Sequence, residues 1–96
     1  MDGRLEFSVI CFDIADARRR RRVVRVLEGF AWRAQESVFE GWLDARQRQS
    51  LLARLAVLID AGADRVALYV LAPVERDELV SLGRGLPPED FRHALL

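Results

Sequence analysis

Two segments of this 96-residue chain are apolar on both faces of an extended strand, and that limits the possible folds more than any other feature. Leu5 to Phe12 sets Phe7, Val9 and Cys11 on one side and Ile10 and Phe12 on the other. Arg65 to Leu71 sets Val66, Leu68 and Val70 on one side and Ala67, Tyr69 and Leu71 on the other, and Pro73 stops it. Side chains alternate along a strand, so a strand with two apolar faces has to be covered on both.

Between these strands the spacing predicts a helix, a hairpin and a second helix. Ala17 to Glu28 is the first helix, with Asp16 as N-cap and Gly29 as its stop. Val23, Val24, Leu27 and the stem of Arg20 fall on its buried stripe, whereas Arg18, Arg21, Arg22 and Arg25 fall outside it. Arg33 to Val38 and Phe39 to Leu43 form a tight hairpin. Asp44 caps the second helix, with Gln47 at its third position in a capping-box pattern. Leu51, Leu52, Leu55, Leu58 and Ile59 then recur at helical spacing as far as Gly62.

The order strand, helix, strand, strand, helix, strand is the ferredoxin-like βαββαβ arrangement of an α+β domain. It places both helices on one side of an antiparallel sheet. The apolar residues on the other side then need a cover of their own, and a second copy of the sheet is the simplest, which predicts a two-fold homodimer packed sheet to sheet. The expected division is a domain over residues 1–72 and a C-terminal dimerisation segment over 73–96. In that segment Leu79-Val80-Ser81-Leu82 is the expected fifth strand, exchanged with the partner.

The chain is short enough for one domain, and its 51% apolar content is ample for a core. No apolar run reaches membrane-spanning length, and the N-terminus lacks a signal-peptide core, so a cytoplasmic protein without membrane contact is expected. Cys11 is the only cysteine, which excludes a disulfide framework and a cysteine-based zinc site. His93 is the only histidine and has no evident catalytic partner. A net charge of zero argues against indiscriminate nucleic-acid binding.

That zero conceals a run of five arginines, Arg18 to Arg22, at the start of the first helix and just after Asp13. Charge runs commonly form solvated faces. Five consecutive like charges repel, however, and Asp16 and Glu28 are the only acids nearby in the segment. The remaining guanidinium groups are suited to phosphate oxygens, which arginine grips in a bidentate fashion. Asp13 closes the first strand, where it is either a helix-entry residue or a ligand for Mg2+. A two-fold axis near Asp13 would add the same carboxylate from the partner, and the pair could hold one metal and orient an attacking water. Phe39, Trp32 and Trp42 are either base-stacking or packing residues, with packing favoured for the two tryptophans. No phosphate-loop, dinucleotide-binding or triad pattern is present.

Phe12-Asp13-Ile14, Asp16, Arg20, Arg22, Arg33, Gln35 and Ser37-Val38-Phe39-Glu40 together resemble the pattern of the CRISPR-associated Cas-two family, over Phe7 to Leu71. The resemblance implies a ferredoxin-like homodimer whose C-terminal segment crosses to the partner. It assigns the metal-binding and catalytic Asp to Asp13, with Mg2+ as cofactor. It assigns the basic and aromatic positions linked to nuclease activity in some members to Arg20, Arg22, Arg33 and Phe39. The family's Tyr before the key Asp is Phe12 here, and its Tyr-Gly after the first helix is Phe30-Ala31.

Two roles follow from the resemblance. One is a Mg2+-dependent endonuclease acting on RNA or DNA. The other, favoured here, is a spacer-acquisition adaptor that bridges Cas-one integrase dimers and binds a double-stranded DNA protospacer through its arginines, or single-stranded RNA. The contrasting reading is a ferredoxin-like RNA-binding or toxin-like ribonuclease module outside CRISPR systems.

Overall fold

The computed structural model describes residues 3–73. Six elements follow one another: β1 (Glu6–Asp13), α1 (Ala17–Glu28), β2 (Trp32–Gln35), β3 (Val38–Leu43), α2 (Ala45–Leu58) and β4 (Arg65–Leu71). They build one antiparallel sheet in the order β2-β3-β1-β4. This is the ferredoxin-like arrangement, with β1 central and flanked by β3 and β4. The residues assigned to a fifth strand, and all but Pro73 of the dimerisation segment, lie outside the described residues.

Alternation along β1 divides the apolar residues into two clusters. Ile10 and Phe12 join Val23 and Leu27 of α1, Leu51 and Leu55 of α2, and Ile14, Phe39 and Leu43 in the core beneath the helices. Phe7 and Val9 join Val38 and Leu71 in a separate cluster on the other face, with Tyr69 against it. Both strands read as two-faced are therefore two-faced. On the helix-free side Phe7 meets Trp42 edge-on at 5.2 Å and Trp32 at 6.3 Å between ring centroids. No described helix is long and apolar enough to cross a membrane.

The caps form as their chemistry requires. Asp16 accepts the Arg19 amide at 2.8 Å, and Asp44 and Gln47 complete a reciprocal capping box.

Three boundaries and one helix-face assignment differ from the sequence reading. β1 extends one residue further, so Asp13 lies within the strand, opposite Arg65. The hairpin turn is Glu36-Ser37, two residues earlier than the expected reversal between Val38 and Phe39; an irregularity between Arg33 and Gln35 takes up a residue, and Val38 pairs with Cys11 as part of β3. α2 ends at Leu58, not at Gly62: Asp60 accepts the Gly62 amide on its side chain and the Ala63 and Asp64 amides on its carbonyl, which turns the chain away from the helix. The arginine lying on the inner stripe of α1 is Arg19, four residues before buried Val23, whereas Arg20 is exposed.

Candidate nucleic-acid and metal site

Asp13 stands exposed at the end of β1, beside a cleft of about 220 Å³ lined by Phe12, Asp13, Ile14, Arg20, Glu36 and Ser37. Two chain segments frame it: the exit from β1 and the β2–β3 turn. The Phe12 amide donates to the Ser37 carbonyl at 3.1 Å and ties the two together.

An arginine braces each wall. Arg20 donates from Nε and Nη2 to the Ile14 carbonyl at 3.3 and 3.1 Å. Arg33 donates from the same two atoms to the Glu36 carbonyl at 3.2 and 2.6 Å. The Arg33 guanidinium also lies 5.8 Å from the centroid of the Phe39 ring. Both arginines are thus engaged within their own chain.

Arg19 is engaged more deeply. It pairs with Asp64, whose side chain is wholly buried, through Nε at 2.8 Å and Nη2 at 3.0 Å. The Asp64 carboxylate also accepts the Ala15 and Asp60 amides, each at 2.9 Å. The Arg19 hydrogen bonds, then those backbone amides, hold the Asp64 carboxyl well below the usual carboxylate range. Asp16 is lowered too, chiefly by the Arg19 amide it caps.

The rest of the run is different. The side chains of Arg18, Arg21 and Arg22, with Arg25 one turn on, are exposed along α1 and form no hydrogen bond or ion pair among the described residues, although the Arg18 amide and charge both help to lower Asp16. Each can meet a phosphate without first breaking a contact here. The five-arginine run therefore contains two kinds of residue, and helical spacing separates them.

Phe39 corrects an expectation. Its ring is fully buried in the helix-side core, with Phe12 at 6.1 Å, and it offers no face to a base. Trp32 and Trp42, 49% and 45% exposed, lie on the opposite face of the sheet.

Among the described residues no three His, Cys, Asp or Glu side chains gather as a ready-made metal site. Asp13 and Glu36 are the carboxylates on the cleft. That donor set fits a hard divalent ion of the Mg2+ type, which takes one or two carboxylates and fills its remaining positions with water and phosphate oxygen. Sequence reading overlooked Glu36 and Asp64. Only the turn position could have marked Glu36, and only the i−4 relation of Arg19 to Val23 could have hinted at a buried partner for Arg19.

A ferredoxin-like sheet with an exposed aspartate ending its first strand, beside an arginine-faced helix, defines a small α+β protein of the ferredoxin-like class. The chain belongs to the family described as CRISPR associated protein Cas2, which matches residues 6–78. It is 41% identical over 90 residues to a CRISPR-associated endoribonuclease Cas2 of Chloroflexus aurantiacus, covering 94% of this chain and 97% of that one. A crystal structure of a hypothetical protein from Thermus thermophilus superposes with a TM-score of 0.76 at 32% identity, covering 88% of this chain and 98% of that one. A chain in a partial Cas6-RT-Cas1–Cas2 complex shares the fold, with a TM-score of 0.71 at 23% identity over 86% of this chain and 90% of that one.

Proposed function

We propose that this protein serves CRISPR adaptation as a two-fold homodimer, gripping the phosphates of a protospacer duplex with α1 and bridging Cas-one integrase dimers. The observation that carries the reading is the division of the arginines: Arg18, Arg21 and Arg22 lie exposed on one helix while Arg19, Arg20 and Arg33 are held by their own chain. An adaptor of this kind needs available cations more than it needs chemistry. Phe7, Val9, Val38 and Leu71 are already buried within one chain, and it is the half-exposed Trp32 and Trp42 beside them that support a sheet-to-sheet dimer. Membership in a CRISPR-associated family favours this role over a ribonuclease module outside such systems.

Endonuclease activity is the accompanying reading, supported by the name of the Chloroflexus relative and by the Asp13 cleft. Asp13, with Glu36 beside it or Asp13 of the second copy, would hold Mg2+. The ion would supply charge neutralisation at a phosphodiester and a more acidic bound water. Arg20 keeps the Ile14 wall in place, and Arg33 keeps the Glu36-Ser37 wall in place.

Duplex binding measured against salt tests the main reading. Converting Arg18, Arg21 and Arg22 together to Gln should weaken binding and, with three arginines lost from each copy of the dimer, reduce the log–log salt slope by about 5 if each meets one phosphate. An unchanged slope, or unchanged spacer acquisition, would count against the adaptor. For the accompanying reading, Asp13→Asn should abolish Mg2+-dependent cleavage of RNA or DNA and leave duplex binding in place.

A further inference from the structure

Asp13 is followed by a short exit, Ile14-Ala15-Asp16, before α1 begins. Every residue of that exit is held. Arg20 takes the Ile14 carbonyl, Asp64 takes the Ala15 amide, and Asp16 caps Arg19 and accepts the Arg20 amide at 2.9 Å on its carbonyl. Asp64 is the contact that comes from farthest away in the chain. It arrives from the α2–β4 connection, immediately before Arg65, the residue paired with Asp13 across the sheet.

Four donors converge on this one buried carboxylate: two from Arg19, one from Ala15 and one from Asp60. A surface ion pair would need only two of them. The other two are main-chain amides from separate loops, so the carboxylate joins the β1 exit, the first turn of α1 and the end of α2 in one rigid unit. A buried acceptor with this many donors tolerates little displacement, because any shift leaves polar groups unpaired.

We propose that Asp64 is a positioning residue for the Asp13 site, fixing the path of the chain as it leaves β1 and with it the direction of the Asp13 carboxylate. Asp64 is buried and meets neither metal nor nucleic acid itself. The proposal rests on the reading of Asp13 as the metal-binding carboxylate, and its test separates the two.

The experiment uses the full chain, with Mn2+ as a paramagnetic substitute for Mg2+. Three measurements are made on each variant: the carboxyl carbon shift of Asp13 before Mn2+ is added, broadening of the amide signals around Asp13 once it is, and the thermal midpoint. Asp64→Asn should move the Asp13 carbon signal and weaken Mn2+ binding about tenfold or more, the loss typical when support behind a metal ligand is removed. Arg19→Lys keeps a cation beside Asp64 and should give a smaller effect of the same kind. Gly41→Ala is destabilised at a distance from the exit and should leave the Asp13 carbon signal in place, which separates positioning from general loss of stability.

A folded Asp64→Asn protein with wild-type carbon shift and wild-type broadening would overturn the proposal. If Asp64→Asn does not fold, a wild-type carbon shift in Arg19→Lys overturns it equally. If Mn2+ fails to broaden even the wild-type signals, the metal reading falls, and the carbon shift still decides the role of Asp64.

Discussion

Shortening Phe39 distinguishes a core residue from a nucleic-acid contact. Its ring is wholly buried, 6.1 Å from Phe12, with the Arg33 guanidinium 5.8 Å from its centroid. Truncation to Ala removes the ring from the helix-side core and leaves a hole there, at a cost of about 3–5 kcal/mol. A domain of this size has a total stability of about 5–15 kcal/mol, so the loss is a large share of it. At about 4–8 °C per kcal/mol, Phe39→Ala should melt roughly 12–40 °C below wild type. Phe39→Leu retains most of the volume and should cost about 1–1.5 kcal/mol, roughly 4–12 °C. The assay is thermal unfolding at one fixed protein concentration, since the midpoint of an oligomer depends on concentration. Duplex affinity is then measured where each variant is folded, and Phe39→Leu should bind within about twofold of wild type, less than 0.5 kcal/mol. A Phe39→Leu protein that melts like wild type but loses affinity about tenfold would refute the burial argument and return Phe39 to the contact surface.

Three further outcomes follow from other parts of the fold. The Asp64 carboxyl is depressed in the folded protein, so its contribution is fully present above the unfolded value of about 4 and is lost as pH falls below it. The wild-type thermal midpoint should therefore drop between about pH 5 and about pH 2, Asp64→Asn should drop less over the same window, and equal drops would show that Asp64 is not the group responsible. At Gly41 an added Cβ would lie 3.0 Å from the Ala31 Cβ, 3.2 Å from its Cα and 3.3 Å from the Phe30 carbonyl. Urea unfolding of Gly41→Ala should show a loss of about 1–3 kcal/mol. Gly29→Ala, at a right-handed helical conformation with its nearest neighbour at 3.4 Å, should instead gain about 0.4–1 kcal/mol.

Local signals were the readable ones. Asp16, Asp44 and Gln47 identify the helix starts because capping involves residues within one turn of each other, and the double apolar pattern of β1 and β4 identifies a strand covered on both faces. The order of those elements was enough for the topology. Contacts between distant residues were not readable. Asp64 is 45 residues from Arg19, and nothing in its neighbourhood distinguishes it from an ordinary turn acid. Phe39 misled for the opposite reason: an aromatic in a motif rich in polar residues suggests a ligand, and only the pairing of Phe39 with Ile10 shows which face of the sheet it occupies. Arg20 and Arg33 brace the walls of the Asp13 cleft, but whether a guanidinium faces outward or back to a carbonyl depends on the path of the turn, which composition does not encode.

The two-faced character of β1 has a consequence for folding fidelity. A strand that is oily on one side only is held in frame by solvent, since sliding by one residue would turn that side outward. β1 has that safeguard only at Phe7, which would trade places with Ser8, because Val9 and Cys11 would exchange with Ile10 and Phe12, which are at least as apolar. Its alignment is held instead by polar pins: Glu6 against Arg48 at 2.9 Å at one end, and the Phe12 amide on the Ser37 carbonyl at the other. Loosening those pins should yield a compact mixture of offset pairings, so the characteristic failure of this strand is misalignment and not unfolding.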